Sequence, residues 1–477
     1  MAEIWDVIIV GAGTAGMPAA TFAARRGARV LALEAADVVG GTTHLSTGQM
    51  SAAGSRLQAA RGIEDSADLH FDDVMHISKG TADAILVRLA VDHAADTLDW
   101  LMDNGFEPLP DHPVLGLGHE PYRVERYCWG ADGGVSILNA IRKPFEAEVG
   151  KGTIALMAGF EVTALSLDSG AVTGVAGRGP GGTAEYRGRN IVLTTGGYAS
   201  NPELFERING YPQYADAAYP YARGQGLKLG EDAGGWLRGA GKYYCSYGSV
   251  LETGSIPSPV FARPNHWPEQ RPPWEIHVNG AGERFVAEDN PSVDAREHAL
   301  LQQPDLRYWI IFDQAIAESA PELFIEMPRA DMFAAFESHP MFTRADTLAE
   351  LATRAGIDGA GLDRTIATYN NALGGGDPLG RKHRPAPVAT PPFYAVRVQG
   401  NSITGVAGLA VDERLRVIDN AGTPIPNLFA AGEVLGAGQT MGASSVGGMM
   451  VTPALTFGRL LGDRILDWAE KAAVAAE

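Results

Sequence analysis

Asp6–Val10 is a short, unbroken apolar run, the pattern of a strand buried on both faces. Gly11–Gly16 interrupts it, small residues from Met17 to Arg26 read as a helix, and Ala28–Leu33 is a second apolar strand closed by Glu34. Together they predict a β-α-β unit. Across residues 80–105, Leu86, Leu89, Ala90, Ala94, Leu98 and Leu101 recur at helical spacing and read as helix. Residues 107–134 are rich in Pro, Gly and His and read as loop, and Ile137–Val149 returns to helix, which Pro144 should kink or shorten. Strands alternate from 153 to 195 with turns at Asp168-Ser169-Gly170 and Gly179–Gly182, and the last, Ile191–Thr195, runs into Gly196-Gly197.

The pattern changes between 235 and 395. Pro and aromatic residues cluster there, and charged amphipathic helices are expected near 330–375. From Gly408 the β-rich apolar pattern returns. A Gly-rich stretch at 432–448 leads into a final helix from Thr452 to about Ala469, with Pro453 well placed in its first turn. The predicted organisation is a discontinuous first domain, residues 1–235 and 396–477, with a second domain, 236–395, inserted into it.

Composition narrows the class. The chain has 477 residues, 45% hydrophobic and 20% charged, so a packed globular protein is expected and disorder or coiled coil is excluded as its main state. Its net charge of −19 repels phosphate backbones, so no nucleic-acid partner is expected. Two cysteines, Cys128 and Cys245, are too few for a disulfide framework, and without CxxC or CxxCH no cluster, zinc finger, attached haem or other metal site is expected. Met1–Trp5 leads straight into the first strand and no apolar run reaches about 18 residues, so the expectation is a cytoplasmic protein with no leader and no membrane span.

The chemistry starts at Gly11-Ala-Gly13-Thr14-Ala15-Gly16, a G-x-G-x-x-G turn between a buried strand and a helix. Glu34 ends the next strand 21 positions after Gly13. In such a turn Gly11 makes the bend, Gly13 admits a pyrophosphate to the backbone, and Gly16 lets helix and strand pack closely. The helix N-terminus offers free N–H groups to the phosphates, and Glu34 accepts from ribose hydroxyls. This is a dinucleotide-binding fingerprint.

Three further segments select the dinucleotide. Gly40-Gly41-Thr42-Thr43 follows Glu34, Thr194-Thr195-Gly196-Gly197 ends a later strand, and Asn427-Leu-Phe-Ala-Ala-Gly432-Glu433 precedes Gly442–Gly448. In this order the set resembles the FAD-dependent flavoprotein superfamily of fumarate reductase, succinate dehydrogenase and 3-ketosteroid dehydrogenase. Gly282-Glu-Arg-Phe-Val-Ala-Glu288 and Pro392-Phe-Tyr-Ala395 resemble two more of its segments. The resemblance implies an α/β fold, a discontinuous Rossmann-like FAD-binding domain with an inserted α+β substrate or capping domain. It implies a cofactor site of Gly11, Gly13, Thr14, Ala15, Gly16, Glu34, Ala35, Gly40, Gly41, Thr42, Thr43, Thr47, Gly48, Val162, Thr195, Gly196, Gly197, Gly432, Glu433, Ser445, Gly448 and Met449. Within it Val162 would meet adenine through its backbone, Glu433 would hold a ribityl or ribose hydroxyl, and Gly447-Gly448 would face the flavin pyrimidine. His44 is close to where succinate dehydrogenases link flavin covalently, but their Ser-His-Thr context is absent, so non-covalent FAD is expected.

The departures bear on substrate. The arginine that fumarate reductases place after Arg-Phe-x-x-Glu falls on Ser292, the one before the late Gly-Gly on Ser445, and the substrate histidine on Ile403 or Thr404. Arg296, four residues past Ser292, is the candidate substitute. Ketosteroid dehydrogenases use tyrosines and a backbone amide instead, and Tyr122, Tyr127, Tyr243, Tyr244 and Tyr247 are candidates for the base, with Arg123, Arg126 or Arg296 as the positive neighbour such a base needs. The candidate catalytic set is Tyr127, Tyr247, Arg296 and Ser445. The expected activity is FAD-dependent oxidoreduction of a CH–CH bond next to a carbonyl: desaturation of a neutral cyclic or steroid-like ketone, or the reverse ene-reduction. The alternatives are a fumarate-reductase-like ene-reductase of an unsaturated carboxylate, and a non-catalytic flavin-binding electron carrier. The expected partners are a small-molecule substrate and an external electron donor or acceptor.

Overall fold

A computed structural model describes residues 4–116 and 120–474. It divides into two compact units, one of residues 1–211, 218–243 and 404–477, the other of 212–217 and 244–403.

The first unit is built on a parallel sheet. Its strands run in the order Arg416–Ile418, Pro424–Ala430, Gly182–Leu193, Ile4–Val10, Val30–Glu34, Ile154–Ala158, all parallel except the first, which pairs antiparallel with its neighbour. Val7, Ile8, Ile9, Val30 and Ala32 have no exposed surface, which is why these strands carry continuous apolar runs. The 12-residue strand Gly182–Leu193 changes partner along its length. Its start closes an antiparallel meander with Glu161–Asp168 and Ala171–Gly179, and its second half lies beside the first strand. The helix Gly16–Arg25 packs against the final helix, Val451–Val474, where Gly458 and Gly462 let the two backbones approach.

Two expected helices differ. Residues 80–105 form two helices, Ala84–Asp92 and Ala94–Asp103, parted at His93 (φ −119°, ψ 7°). The His93 carbonyl accepts both the Thr97 hydroxyl, at 2.8 Å, and the Thr97 N–H, at 3.2 Å, and so starts a new helix. The helix expected at Ile137–Val149 runs unbroken from Gly134 to Lys151 with Pro144 inside it. Buried Ile137, Leu138, Ile141 and Phe145 hold its face in the core across the hydrogen bond that Pro144 cannot donate. The described residues of the 107–134 stretch are mostly irregular, but Tyr127–Cys128 pairs with Met50–Ser51 as a two-stranded ladder.

The second unit centres on a four-stranded antiparallel sheet in the order Ile276–Val278, Arg307–Asp313, Phe393–Gln399, Phe342–Ala345. The amphipathic helices expected near 330–375 are Arg329–Ser338, Leu348–Ala355 and Gly359–Asn371. The Gly282–Glu288 segment is structural. Arg284 pairs with Glu288 at 2.6 Å and Asp377 at 2.7 Å, and a Cβ on Gly282 would meet the Leu362 nitrogen at 2.3 Å.

Candidate functional site

The pairing of the first two strands sets the cradle. Val10 lies opposite Leu33, and the Gly11 N–H donates to the Leu33 carbonyl at 2.7 Å, so the glycine turn leaves the sheet level with Glu34. Glu34 is buried; Oε2 accepts from the Ala12 N–H at 2.8 Å and Oε1 from the Ala36 N–H at 2.9 Å. Burial raises its pKa and these amides pull it back. A carboxylate has about four acceptor positions, more than these amides fill, so acceptor capacity is left for ribose hydroxyls.

The three glycines of the turn differ in what they must avoid. A Cβ on Gly11 (φ +100°) would meet the Thr194 carbonyl oxygen at 2.5 Å, and one on Gly16 would lie 1.9 Å from the Gly11 oxygen. Both are glycine because the chain packs on them. Gly13 is not crowded by the chain, since the nearest atom to a Cβ there is the Gly40 oxygen at 3.7 Å. Space kept at Gly13 is therefore space for something other than protein. The amides of Gly13, Thr14 and Ala15 donate to no acceptor among the described residues. An open face beside a helix N-terminus, with free donors, fits a dinucleotide pyrophosphate.

The other segments converge on this turn. The Gly40 N–H donates to Ala12 O at 2.9 Å, and the Thr14 and Thr43 hydroxyls are 2.5 Å apart. Thr42 donates to Glu433 Oε2 at 3.3 Å, and a Cβ on Gly197 would lie 2.5 Å from Glu433 Oε1. Glu433 thus joins the second, third and fourth segments. Burial raises its pKa, and hydrogen bonds from Thr42 and the amides of Gly197 and Gly405 lower it. Gly432 (φ +84°) turns beside Ala15, and Gly48 (φ +67°) against the Gly133 backbone. Thr195 Oγ1 is buried with no partner among the described residues. Ala35 and Gly41 are half-buried and Thr47 is exposed. Val162 is buried, and its carbonyl accepts from Gln225 Nε2 at 3.2 Å. His44 is exposed, with Nε2 3.1 Å from the Val39 carbonyl.

At the far end of the cradle, Gly448 (φ +77°) sits on the short ladder; a Cβ there would meet the Ser51 nitrogen at 2.4 Å. Ser445 is half-buried, Met449 fully buried, and Ser444 Oγ is buried without a partner among the described residues. Tyr127 is 1% exposed, its ring lies 3.1 Å from where a Gly447 Cβ would be, and its hydroxyl also has no described partner. Burial pushes the Tyr127 phenol above its ordinary range. The positive neighbour expected for such a base is not free. Arg126 is held by both oxygens of Asp65, at 2.9 and 2.8 Å, and by Asp73 at 2.8 Å, and Arg123 also pairs with Asp73. Tyr122 points its hydroxyl at the Gly447 carbonyl, so it is no free base either.

In the second unit the structure gathers an aromatic and cationic cluster that sequence spacing did not show. Tyr247 Oη is 2.9 Å from His277 Nδ1, and Tyr308 Oη is 3.0 Å from His266 Nε2. The two tyrosine rings stack at 5.1 Å, and the Arg296 guanidinium lies 5.2 Å from the Tyr247 ring centre. Arg296 is 1% exposed; Nη1 donates to the His266 carbonyl at 2.6 Å, while Nε and Nη2 have no partner among the described residues. Burial pushes Tyr247 up, with Arg296 partly offsetting it, and pushes both histidines well down, so all three are neutral. Ser292, one of the positions where an arginine was expected, caps the helix Val293–Leu301 by accepting from the Ala295 N–H. The partners in this cluster lie up to 61 residues apart, so no local motif announces them.

The FAD binding domain family matches residues 6–451. The chain is similar to the "Fumarate reductase (cytochrome)" of Shewanella frigidimarina, 30% identical over 98% of this chain and 78% of that protein. It is also similar to the urocanate reductase of Eggerthella lenta, 28% identical over 96% of this chain and 74% of that protein. In fold it matches the 3-ketosteroid Δ1-dehydrogenase of Sterolibacterium denitrificans, with a TM-score of 0.76 at 21% identity over 98% of this chain and all of that one. Fingerprint, cradle and matches agree: the chain belongs to the FAD binding domain family, within the fumarate reductase and succinate dehydrogenase flavoprotein superfamily, and is an FAD-dependent oxidoreductase.

Proposed function

We propose that this enzyme adds or removes hydrogen across a carbon–carbon bond next to the carbonyl of a neutral, mostly apolar ring compound. The observation that carries the reading is the chemistry around Gly447-Gly448. Ser445 stands where the resemblance leads one to expect arginine, and two buried neutral hydroxyls, Ser444 Oγ and Tyr127 Oη, have no described partner. Neutral donors suit a ketone oxygen. Two carboxylates without charged partners would lose several kcal/mol, a thousandfold or more in affinity.

Bound FAD supplies the hydride acceptor or donor. The chain's own part is to hold the carbonyl and manage a proton. The Ser444 and Ser445 hydroxyls hold the oxygen on which enolate charge develops; one such donor is typically worth about a hundredfold in rate. Tyr127 and Tyr247 keep their protons, because burial opposes the phenolate. Tyr127 therefore serves first as a proton donor; Tyr247, in the second unit, is hydrogen-bonded to neutral His277. FAD is held non-covalently in this reading, because the exposed His44 ring is engaged by the Val39 carbonyl. The electron partner is a separate molecule.

A second reading rests on Arg296. Its buried Nε and Nη2 form an unsatisfied fork of the kind a single carboxylate binds through two hydrogen bonds. The two curated relatives are named for reducing fumarate and urocanate, both unsaturated carboxylates. One experiment separates the readings. Oxidised holoenzyme is mixed anaerobically with saturated cyclic ketones, and dye-reduced enzyme with enones, fumarate and unsaturated monoacids, while flavin absorbance is followed. Bleaching by ketones and reoxidation by enones is expected, with fumarate inert. Reoxidation by monoacids alone, lost in Arg296→Met, would establish the second reading. Bleaching only by alcohols or amines would remove both.

A further inference from the structure

Behind the Gly447-Gly448 turn lies a buried row of polar groups that the proposed chemistry does not use. His70 has no exposed surface, and its Nε2 is 3.1 Å from Ser51 Oγ. Ser51 Oγ is 3.3 Å from the Tyr122 hydroxyl, which contacts the Gly447 carbonyl oxygen more closely still. Tyr122 is 3% exposed, with the Arg126 guanidinium 5.0 Å from its ring centre. Ser51 is tied to the last helix: its N–H donates to Thr452 Oγ1 at 2.9 Å, and Thr452 Oγ1 donates to the Ser51 carbonyl at 3.1 Å.

A phenol carries a single hydrogen, and the carbonyl, the nearer of the two acceptors that the Tyr122 hydroxyl faces, takes it. Ser51 Oγ, the farther one, is held in turn beside His70 Nε2, so the two fix where the phenol stands. The row ends on the carbonyl of a peptide whose other polar group is the Gly448 N–H. In a planar trans peptide these two groups point oppositely. Fixing and polarising the carbonyl therefore aims the N–H and makes it a better donor.

We propose that Tyr122, backed by Ser51 and His70, is a positioning residue that holds and polarises the Gly447–Gly448 peptide so that its N–H is presented to the electron-accepting ring of FAD. This rests on the reading that Gly448 faces the flavin pyrimidine, where the reduced cofactor gathers negative charge. Gly448 cannot turn away by itself, because its αL backbone is pressed against Met50 and Ser51.

The test is the FAD midpoint potential of the purified holoenzyme, measured by dye equilibration for wild type, Tyr122→Phe and Ser51→Ala. Loss of the row's last donor should weaken stabilisation of the reduced form about tenfold. For a two-electron couple this is a potential about 30 mV more negative. Ser51→Ala, which leaves Tyr122 in place, should shift it in the same direction by less. A merely structural role would lower stability and leave the potential where it is. If both variants bind FAD and keep their potential within about twofold in that equilibrium constant, the proposal is overturned. If Tyr122→Phe does not fold, Ser51→Ala decides alone. If wild type itself binds no FAD, it is the placement of the cofactor that fails.

Discussion

Gly13 and Gly16 sit three positions apart in one turn, yet substitution should affect them by different routes. A side chain at Gly16 strikes the Gly11 backbone oxygen, so Gly16→Val should disrupt the contact between helix and strand and lower stability. A Cβ at Gly13 meets no protein atom closer than 3.7 Å, so Gly13→Val should fold and lose FAD. Circular dichroism and flavin absorbance on the same preparations check both; a folded, fully yellow Gly13→Val protein would mean that the open space serves no pyrophosphate. In the second unit, Glu297 carries a further test. Burial, aided by nearby Asp294, pushes its pKa from 4.5 to about 8. Between those values the folded chain keeps a proton that the unfolded chain has released. Stability from this group is therefore complete below pH 4.5 and declines as pH rises toward 8, by about 1.4 kcal/mol per pH unit. Glu297→Gln, neutral throughout, should lack that slope when urea melts are compared at pH 5, 6.5 and 8.

At the scale of elements, hydrophobic periodicity located strands and helices well but could not place their interruptions. Leu86, Ala90, Leu98 and Leu101 keep helical spacing straight through the break at His93, because both helices bury the same side. The short ladder of Met50–Ser51 with Tyr127–Cys128 had no signal at all, since two residues cannot show a period of two. What secures that ladder is a buried ion cluster. Asp65 precedes the helix Ala67–Ile77, Asp73 lies within it, and Arg126, which precedes the second ladder strand, binds both. All three side chains are at most 3% exposed. Arg126→Met should leave buried Asp65 without a cation and Asp73 with Arg123 alone, and cost about 3–5 kcal/mol in urea unfolding. A loss below about 1 kcal/mol would mean that water reaches these carboxylates.

For the molecule as a whole, the glycine turns of the candidate cradle were legible because they are local, four to six residues each, and most of their glycines are required by close packing or a positive φ. The catalytic surroundings were not, because they depend on pairs such as Tyr122 with Gly447, 325 residues apart, and on which hydroxyls are left without partners. The same contrast bears on the proposal that the cofactor is held non-covalently. A covalent link would need a nucleophilic ring nitrogen directed at the flavin. His44 instead sits at the surface with Nε2 beside the Val39 carbonyl, an acceptor, so Nε2 carries the hydrogen. The ring packs against Gly40 (φ +125°), where a Cβ would lie 2.6 Å from His44 Nε2. On that proposal the groups offered to FAD are the amide row of Gly13–Ala15, the hydroxyls of Thr14, Thr42 and Thr43, and the carboxylates of Glu34 and Glu433. None of these survives acid denaturation as a binding contact. Trichloroacetic acid should therefore release all of the yellow colour into the supernatant, where it should run as FAD on chromatography, one per chain. His44→Ala should keep full flavin content. Colour retained in the pellet of wild type and lost from that of His44→Ala would show that the ring leaves Val39 and forms a bond to the cofactor.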